Sequence, residues 1–197
     1  GCLYLLSLTN AFVICFVAFI AIPMIILYPL MKRFLGIPQL FLGLTFGLSL
    51  PISFAIVNES ISMDAWLLYL ACVFWIVAYD SYYALCDIDD DRKLKLNSLP
   101  IFFEDDTRKV IVLLFTCFIL LVICFAKVNN LQMMSIGVLF LIYQAYFQNK
   151  LSKEGKNLDA FKSNSHVGLV IAVILFLENQ SGPVSYTHLR AHETLHY

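Results

Sequence analysis

The sequence has little charge for its length. Only 14% of its 197 residues are Asp, Glu, Lys or Arg, whereas 60% are hydrophobic and the mean hydropathy is +0.81. Soluble domains contain about 25% charged and about 45–50% apolar residues. The shortage of charge therefore excludes an ordinary soluble domain. It indicates an integral membrane protein in which apolar runs of about 20 residues are membrane-spanning helices.

The sequence also lacks paired cysteines. None of its six cysteines belongs to a CxxC motif, so neither a disulfide framework nor a zinc site is indicated. All of them fall in or beside apolar runs, where a cysteine acts as a small packing residue. They are Cys2, Cys15, Cys72, Cys86, Cys117 and Cys124.

Both ends of the sequence are unusual. The chain has no initiator Met and begins inside an apolar stretch, so we expect it to lack an N-terminal part, and no signal peptide is recognisable there. Residues 184–197, VSYTHLRAHETLHY, turn polar without periodicity and resemble the translated read-through of a sequencing adapter. We interpret them as a non-native tail. His188, His192 and His196 recur every four residues, as metal ligands on a helix face can, but they lie in this tail.

Six apolar runs predict an all-α fold, a polytopic transmembrane helix bundle formed by residues 1–183. Pro23 and Pro51 fall inside two of the runs. Because proline removes a backbone donor from a helix, we expect kinks at both positions. The six runs lie at about 11–31, 36–57, 65–86, 110–126, 131–148 and 167–177.

The most informative segment is YDSYYALCDIDDDRKLK, residues 79–95, which closes the third run. Asp80, Asp87 and Asp91 are spaced by seven and four residues, so one helix would place them on a shared face, with Asp89 off that face. Hard cations such as Mg²⁺ bind oxygen ligands from a few carboxylates and from substrate phosphates. The segment therefore predicts a cation site. The alternative is a solvated acidic loop at a helix end.

Basic residues are concentrated in one set of predicted loops. That set holds eleven of them, whereas the other set, 58–64 and 127–130, holds only Lys127. By the positive-inside rule, the eleven lie on the cytoplasmic side together with the acidic segment. Lys32 and Arg33 end a span and face that segment, while the others can be topology determinants alone. The eleven are Lys32, Arg33, Arg92, Lys93, Lys95, Arg108, Lys109, Lys150, Lys153, Lys156 and Lys162.

Carboxylates, a divalent cation and basic residues at the mouth of an apolar bundle suit a diphosphate ester with a long hydrocarbon tail. The cation and a Lys or Arg would neutralise the diphosphate as it leaves. The apolar interior and the surrounding lipid would accept the tail. The alternative from a different class is a polytopic membrane carrier that uses Asp80 as a proton or cation site. A carrier would not need a dense acidic cluster beside basic residues at a cytoplasmic helix end.

Three segments of the sequence resemble the signatures of one family. They are YPLMKRFLGIPQLFLGLTFGLSLPISFA, AYDSYYALCDIDDDRKLKLNS and DAFKSNSHVGLV. In this order they are similar to segments of the UbiA superfamily of intramembrane prenyltransferases, and within it to the bacterial 4-hydroxybenzoate polyprenyltransferases. The resemblance extends over about residues 7–177. It implies that the six spans belong to a larger, nine-helix bundle in the bacterial inner membrane.

The resemblance implies an enzyme of ubiquinone biosynthesis. It would use Mg²⁺ to transfer a polyprenyl group from its diphosphate to 4-hydroxybenzoate, at the ring carbon ortho to the phenol. Its partners would be these two substrates and the lipid bilayer, with no nucleic acid. Another acceptor, such as a naphthoate, a homogentisate or haem, stays an alternative within the family.

The resemblance also implies roles for particular residues. Asp87 and Asp91 would be the metal ligands, with Asp80 and Tyr83 lining the same catalytic pocket. The remaining site residues would contact the diphosphate or the aromatic acid, or support the site. They are Lys32, Arg33, Lys93 and Asn164.

Two departures from the family pattern matter. Where the signature has Gly and then Lys, this chain has Lys95 and Asn97, so Lys93 or Lys95 would have to supply the expected basic contact. The family's first acidic motif, NDxxDxxxD, does not occur in this sequence. We therefore expect the chain to hold half of the metal site. Expressed alone, it is expected to insert in a membrane without catalysing transfer.

Overall fold

The computed structural model describes residues 11–58 and 60–181, and all regular structure in these ranges is helical. A π-helical turn, Val17–Ala21, joins the first two helices, and a 3₁₀ turn, Glu104–Asp106, precedes the eighth. The adapter-like tail and its three histidines lie outside the described residues. The helices are α1 (Ala11–Phe16), α2 (Ile22–Phe34), α3 (Pro38–Gly47), α4 (Ser49–Asn58), α5 (Met63–Cys86), α6 (Ile88–Lys93), α7 (Leu99–Phe103), α8 (Thr107–Val128), α9 (Met134–Lys153), α10 (Asn157–Lys162) and α11 (Ser165–Ser181).

The predicted class, an all-α multi-pass membrane protein, is confirmed. Helix is present at all six predicted spans, and five segments are long and apolar enough to cross a membrane. The helix α9 is not among the five, because Gln144, Gln148 and Lys150 make its C-terminal half more polar. A membrane crossing by α9 stays a prediction. The five are Phe12–Phe34, Pro38–Asn58, Met63–Cys86, Leu99–Val128 and Asn157–Glu178.

Irregular backbone occurs next to both prolines that were expected to kink a span. Pro23 follows directly on the π-helical turn Val17–Ala21, where the normal ladder of hydrogen bonds is already shifted. Pro51 lies in the first turn of α4, just after the break at Leu48. An N–H in a first helical turn has no intrahelical acceptor, so proline costs little there. Each of these two proline-containing spans is thus interrupted within its length.

The helix α5 is the centre of the bundle and packs against α3, α8 and α10. Its close approach to α3 depends on Gly43 and Gly47, which lie one turn apart. A Cβ atom at Gly43 would lie 3.0 Å from the carbonyl oxygen of Val73, and one at Gly47 would lie 3.1 Å from the ring of Tyr69. Small residues four apart allow such close helix packing in membranes. The pair therefore fixes α3, and with it the end of α2, against α5.

A polar contact joins α11 to the segment that precedes α9. Both carboxylate oxygens of Glu178, on α11, accept hydrogen bonds from the backbone N–H groups that precede α9. The distances are 2.8 Å from Gln132 N and 2.6 Å from Met133 N. A carboxylate at a helix N-terminus satisfies free donors and complements the helix dipole. This contact holds α9 and α11 side by side.

Candidate active site

The acidic segment does not form one continuous helix. The helix α5 ends at Cys86, and Asp87 separates it from α6 with backbone angles of φ −97° and ψ 2°. The carbonyl oxygen of Asp87 accepts hydrogen bonds from the N–H groups of Asp90 (3.0 Å) and Asp91 (2.9 Å). Asp89, Asp90 and Asp91 therefore occupy the first turn of α6, where carboxylates favour the positive end of the dipole. The face predicted for Asp80, Asp87 and Asp91 is interrupted by this break.

Asp91 is turned into the protein and is only 5% exposed. Its Oδ1 atom lies 3.6 Å from Nζ of Lys32, at the end of α2. Its Oδ2 atom is buried without a hydrogen-bond partner. A buried carboxylate oxygen without a partner is costly, so such an atom is a candidate ligand for a cation or a bound substrate. Asp89, which was expected to point away from the face of Asp91, is exposed.

Asp80 lies one stretch of α5 before this ion pair and is half-buried. It interacts electrostatically with both Lys32 and Asp87. Lys32 thus forms an ion pair with Asp91 and lies within electrostatic range of Asp80. The side chain of Asp87 is half-buried and makes no hydrogen bond to the backbone of α6. The structure thus pairs Lys32 with Asp91, whereas no close contact joins Lys32 to Asp87 in the described part of the chain.

The carboxylates suit Mg²⁺ only together with further oxygen ligands. Among residues 11–58 and 60–181, no three His, Cys, Asp or Glu side chains come close enough to hold one ion. However, Mg²⁺ is commonly bound through one or two carboxylates together with substrate phosphates and water. The free Oδ2 of Asp91 and the uncommitted carboxylate of Asp87 fit that description. These two residues would hold the ion at the end of α5.

Two predicted contacts lie on the exposed side of the site. Lys93 Nζ is 3.0 Å from Oδ1 of Asp90, and both side chains are exposed. Its hydrogen bond with Asp90 raises the pKa of the Lys93 ammonium. Arg33 is exposed beside Lys32 in the last turn of α2. Substrate contacts by Lys93 and Arg33 stay predictions, because neither faces the buried carboxylate of Asp91 in this structure.

Aromatic side chains form a wall beside the acidic segment. The ring centroid of Phe161, on α10, lies 5.2 Å from that of Tyr83 and 5.8 Å from that of Tyr79. The ring of Trp75 lies one turn earlier on α5, 5.4 Å from Tyr79. Because Tyr83 is three residues from Asp80 on the same helix, their side chains are neighbours. The wall therefore continues the acidic site along α5.

Asn164 takes part in this wall through hydrogen bonds within the protein. Its Oδ1 atom accepts from Trp75 Nε1 at 3.1 Å, and its Nδ2 atom donates to the carbonyl oxygens of Ala160 and Phe161. These bonds tie the turn between α10 and α11 to α5. The side-chain amide of Asn164 thus has partners within the protein for both its oxygen and its nitrogen. Its role in supporting the site stays a prediction.

Sequence reasoning missed the contacts that hold the loop after α6. The Oε1 atom of the buried Gln39 accepts a hydrogen bond from Leu99 N at 2.9 Å, and Asn97 N donates to the carbonyl oxygen of Lys32 at 3.0 Å. Lys95 has φ 53°, a left-handed conformation that favours glycine, which explains the glycine in the family signature. A glutamine inside an apolar run was the available signal for Gln39.

The fold and the site together define a class: a multi-pass membrane protein with an acidic and basic cluster at one end of an apolar helix bundle. Residues 1–174 match the UbiA prenyltransferase family. The chain belongs to this family, as its three signature segments predicted. Family membership favours the prenyltransferase hypothesis over the membrane carrier.

Individual relatives agree with this assignment. The chain is 34% identical over 177 residues to a 4-hydroxybenzoate octaprenyltransferase of Enterobacter sp. (strain 638), covering 86% of this chain and 59% of the relative. It is 37% identical over 159 residues to the protein of the same name from Edwardsiella ictaluri (strain 93-146), covering 77% of this chain and 54% of the relative. The chain thus spans little more than half the length of these relatives.

A solved structure shows the same fold. The apo structure of a UbiA homolog from Aeropyrum pernix K1 superimposes with a TM-score of 0.75 at 19% sequence identity. The match covers 87% of this chain and 66% of the homolog. At this identity the likeness establishes the helical architecture and leaves the substrate open.

Proposed function

We propose that the whole protein transfers a polyprenyl group from an allylic diphosphate to the aromatic ring of 4-hydroxybenzoate, a step of ubiquinone biosynthesis. The observation that carries this proposal is the buried Asp91, paired with Lys32 and retaining one unbonded carboxylate oxygen. A site of this kind needs both a cation and an anionic ligand to complete it. The names of the curated relatives supply the substrate class.

In this proposal Asp87 and Asp91 would hold Mg²⁺, and the ion would supply positive charge near the diphosphate. The ammonium of Lys32 neutralises part of the negative charge of the diphosphate from the end of α2. The bond between the allylic carbon and the diphosphate oxygen breaks, and the bonding electrons leave with the diphosphate. The ring carbon ortho to the phenol bonds to the allylic carbon and then loses its proton to water or to the released diphosphate. Tyr79 and Tyr83 present π faces where the allylic carbon becomes cationic.

The hydrocarbon tail has a candidate location further along the bundle. A cavity of about 280 Å³ lies between α5, α8 and α11 and is lined almost entirely by apolar side chains, among them Ala71, Phe118, Val122 and Leu175. Trp75 borders both this cavity and a second one, of about 280 Å³, beside Tyr79 and Asn164. An apolar tail would therefore continue from the aromatic wall into the bundle.

The orientation of the site is also part of the proposal. The excess of Lys and Arg in the loops near α2, α6 and α10 favours a cytoplasmic location for the acidic segment. A bacterial inner membrane would then present the site to a soluble aromatic acid on the cytoplasmic side and to the prenyl donor within the lipid.

The direct test is a transfer assay on the purified whole protein in detergent with 4-hydroxybenzoate, a polyprenyl diphosphate and Mg²⁺. We expect a prenylated 4-hydroxybenzoate, detected by mass, and its loss on chelation of the metal. Parallel reactions with a naphthoate and with homogentisate test the alternative acceptors. Product from one of these and none from 4-hydroxybenzoate would contradict the proposed acceptor while retaining the reaction class.

A further inference from the structure

Gln39 is a buried polar residue close to the site. It lies in the first turn of α3, is 3% exposed, and accepts the N–H of Leu99 at 2.9 Å. Leu99 is itself 2% exposed and begins α7. A buried amide is stable only when it is hydrogen-bonded, so each of these groups depends on the other. The bond joins two parts of the chain that are 60 residues apart.

The loop between α6 and α7 is tied to the site at two further points. Leu96 N donates to the carbonyl oxygen of Asp91 at 2.9 Å, and Asn97 N donates to that of Lys32 at 3.0 Å. The bond from Leu99 to Gln39 completes the series. Because Lys32 lies in the last turn of α2 and Gln39 in the first turn of α3, these bonds tie one short stretch of chain to the loop that follows Asp91. We call the three bonds the loop clamp.

The side-chain contact between Lys32 and Asp91 depends on this backbone arrangement. Its 3.6 Å separation is long for an ion pair, and Lys32 is 39% exposed, so the lysine is not held by its own packing. What sets the distance is the placement of the end of α2 against α6. Among the bonds of the loop clamp, the one to Gln39 is the only one made by a side chain, and it can therefore be removed by substitution.

Resting on the proposed function, we propose that Gln39 is a positioning residue for the diphosphate and metal site. It touches neither substrate; it holds the loop clamp, which in turn sets the distance between Lys32 and Asp91. Loss of its acceptor oxygen lets α7 and the loop move away from α2. The site should then bind a cation and a diphosphate less tightly, while binding of the aromatic acid changes little.

The test compares two substitutions that each remove one hydrogen bond of α3. Gln39→Met keeps the volume of the side chain and deletes the acceptor. Tyr69→Phe is the matched control, because it deletes the 3.1 Å hydrogen bond from Tyr69, on α5, to the carbonyl oxygen of Leu44 near the other end of α3. Tyr69 precedes Asp80 on α5 by roughly 16 Å, at 1.5 Å per residue, so it lies outside the site.

Three quantities are measured on the whole protein in detergent. The first is the Mn²⁺ affinity with inorganic diphosphate present, measured by electron paramagnetic resonance. The others are the KM values for both substrates and the unfolding temperature. Gln39→Met is expected to weaken Mn²⁺ binding about tenfold and to raise the KM for the prenyl diphosphate about tenfold. Losses of this size are common when a residue that supports metal ligands is replaced. The KM for the aromatic acid should stay the same. Tyr69→Phe should leave the Mn²⁺ affinity and both KM values unchanged.

A purely structural role of Gln39 gives a different result. Gln39→Met would then lower the unfolding temperature without changing Mn²⁺ affinity or the ratio of the two KM values, and the inference would be overturned. If Gln39→Met does not accumulate, Gln39→Asn carries the test, since the shorter amide should give a smaller change in the same two constants. Unchanged constants in Gln39→Asn would likewise overturn it.

Asp91→Asn separates this inference from the proposed function. If Asp91→Asn binds Mn²⁺ and diphosphate normally, the proposed metal site is wrong whatever Gln39 does. If Asp91→Asn loses Mn²⁺ binding but Gln39→Met retains it, the metal site stands and only the positioning role of Gln39 is wrong.

Discussion

Asp90 and Asp91 are neighbours on α6, and each pairs with a lysine, yet the two ion pairs lie in different environments. The pair of Asp90 with Lys93 is the shorter, at 3.0 Å, but its side chains are 75% and 74% exposed. The pair of Asp91 with Lys32 is 3.6 Å long, and the Asp91 side chain is only 6% exposed. Exposed pairs contribute little because water and salt screen them. The desolvation penalty of a buried charge must be offset by favourable interactions with a paired charge, a bound ion or hydrogen-bond donors.

The two pairs also differ in what they join. Lys93 and Asp90 lie three residues apart on one short helix, so their contact is local. Lys32 and Asp91 come from different helices and leave one carboxylate oxygen without a partner. We therefore propose that the longer, buried ion pair belongs to the functional site, because Asp91 is buried and keeps an oxygen without a hydrogen bond. The following substitutions test that distinction.

The largest expected effect follows from Asp91→Asn, with Asp90→Asn as its matched control on the same helix. Asn keeps the shape of the side chain but removes the charge that a hard cation and Lys32 require. We expect kcat/KM of prenyl transfer to fall roughly a thousandfold, or about 4 kcal/mol. Asp90→Asn should retain most of the activity. Equal losses in the two variants, measured with excess Mg²⁺, would mean that burial does not mark the site.

The next largest effect is expected from Lys32→Met. This change leaves Asp91 buried without its cation and removes a positive charge from the leaving diphosphate. The free energy of unfolding should fall by about 2 kcal/mol, less than for a fully buried pair, because Lys32 is 39% exposed. Unfolding in detergent and the KM for the prenyl diphosphate measure the two consequences. If neither quantity changes, Lys32 is only a topology determinant.

A smaller gain of stability is expected from Lys95→Gly, just after the two ion pairs. Lys95 has φ 53°, which costs a residue with a Cβ atom about 1 kcal/mol, and glycine avoids that cost. Asn130, with φ 54°, is the control, because asparagine already tolerates this conformation. An unfolding midpoint that rises for Asn130→Gly as much as for Lys95→Gly would contradict the explanation from backbone strain.

The smallest effect is expected from Lys93→Ala. The lysine is exposed and its pair with Asp90 is local, so transfer activity and the unfolding midpoint should stay within the error of the control protein. The same transfer assay tests the prediction, made from the sequence, that Lys93 contacts the substrate. A large rise in the KM for the prenyl diphosphate would support that assignment and break the contrast between the two pairs.

Much of the fold could be predicted because it depends on local patterns. Runs of about 20 apolar residues predicted spanning helices, and helix is present at each of them. The apolar run at 131–148 predicted a span that includes Gln144 and Gln148, and in the structure both of these side chains donate hydrogen bonds to Ser163. Such pairing of polar side chains depends on which helices lie next to each other. The spacing of residues within one segment carries no information about that.

The sequence by itself determined the class of this protein, the position of the acidic segment, and the candidate residues Asp80, Asp87, Asp91 and Lys32. Composition, spacing and family signatures are properties of the chain alone. Only the tertiary structure decided that α5 ends at Cys86, that Asp91 rather than Asp90 is buried, and that Gln39 reaches Leu99. The physical reason is that burial and pairing depend on which distant surfaces meet. Spacing separates Asp91 from Asp89, but the burial of Asp91 follows only from the packing of the end of α2 against it.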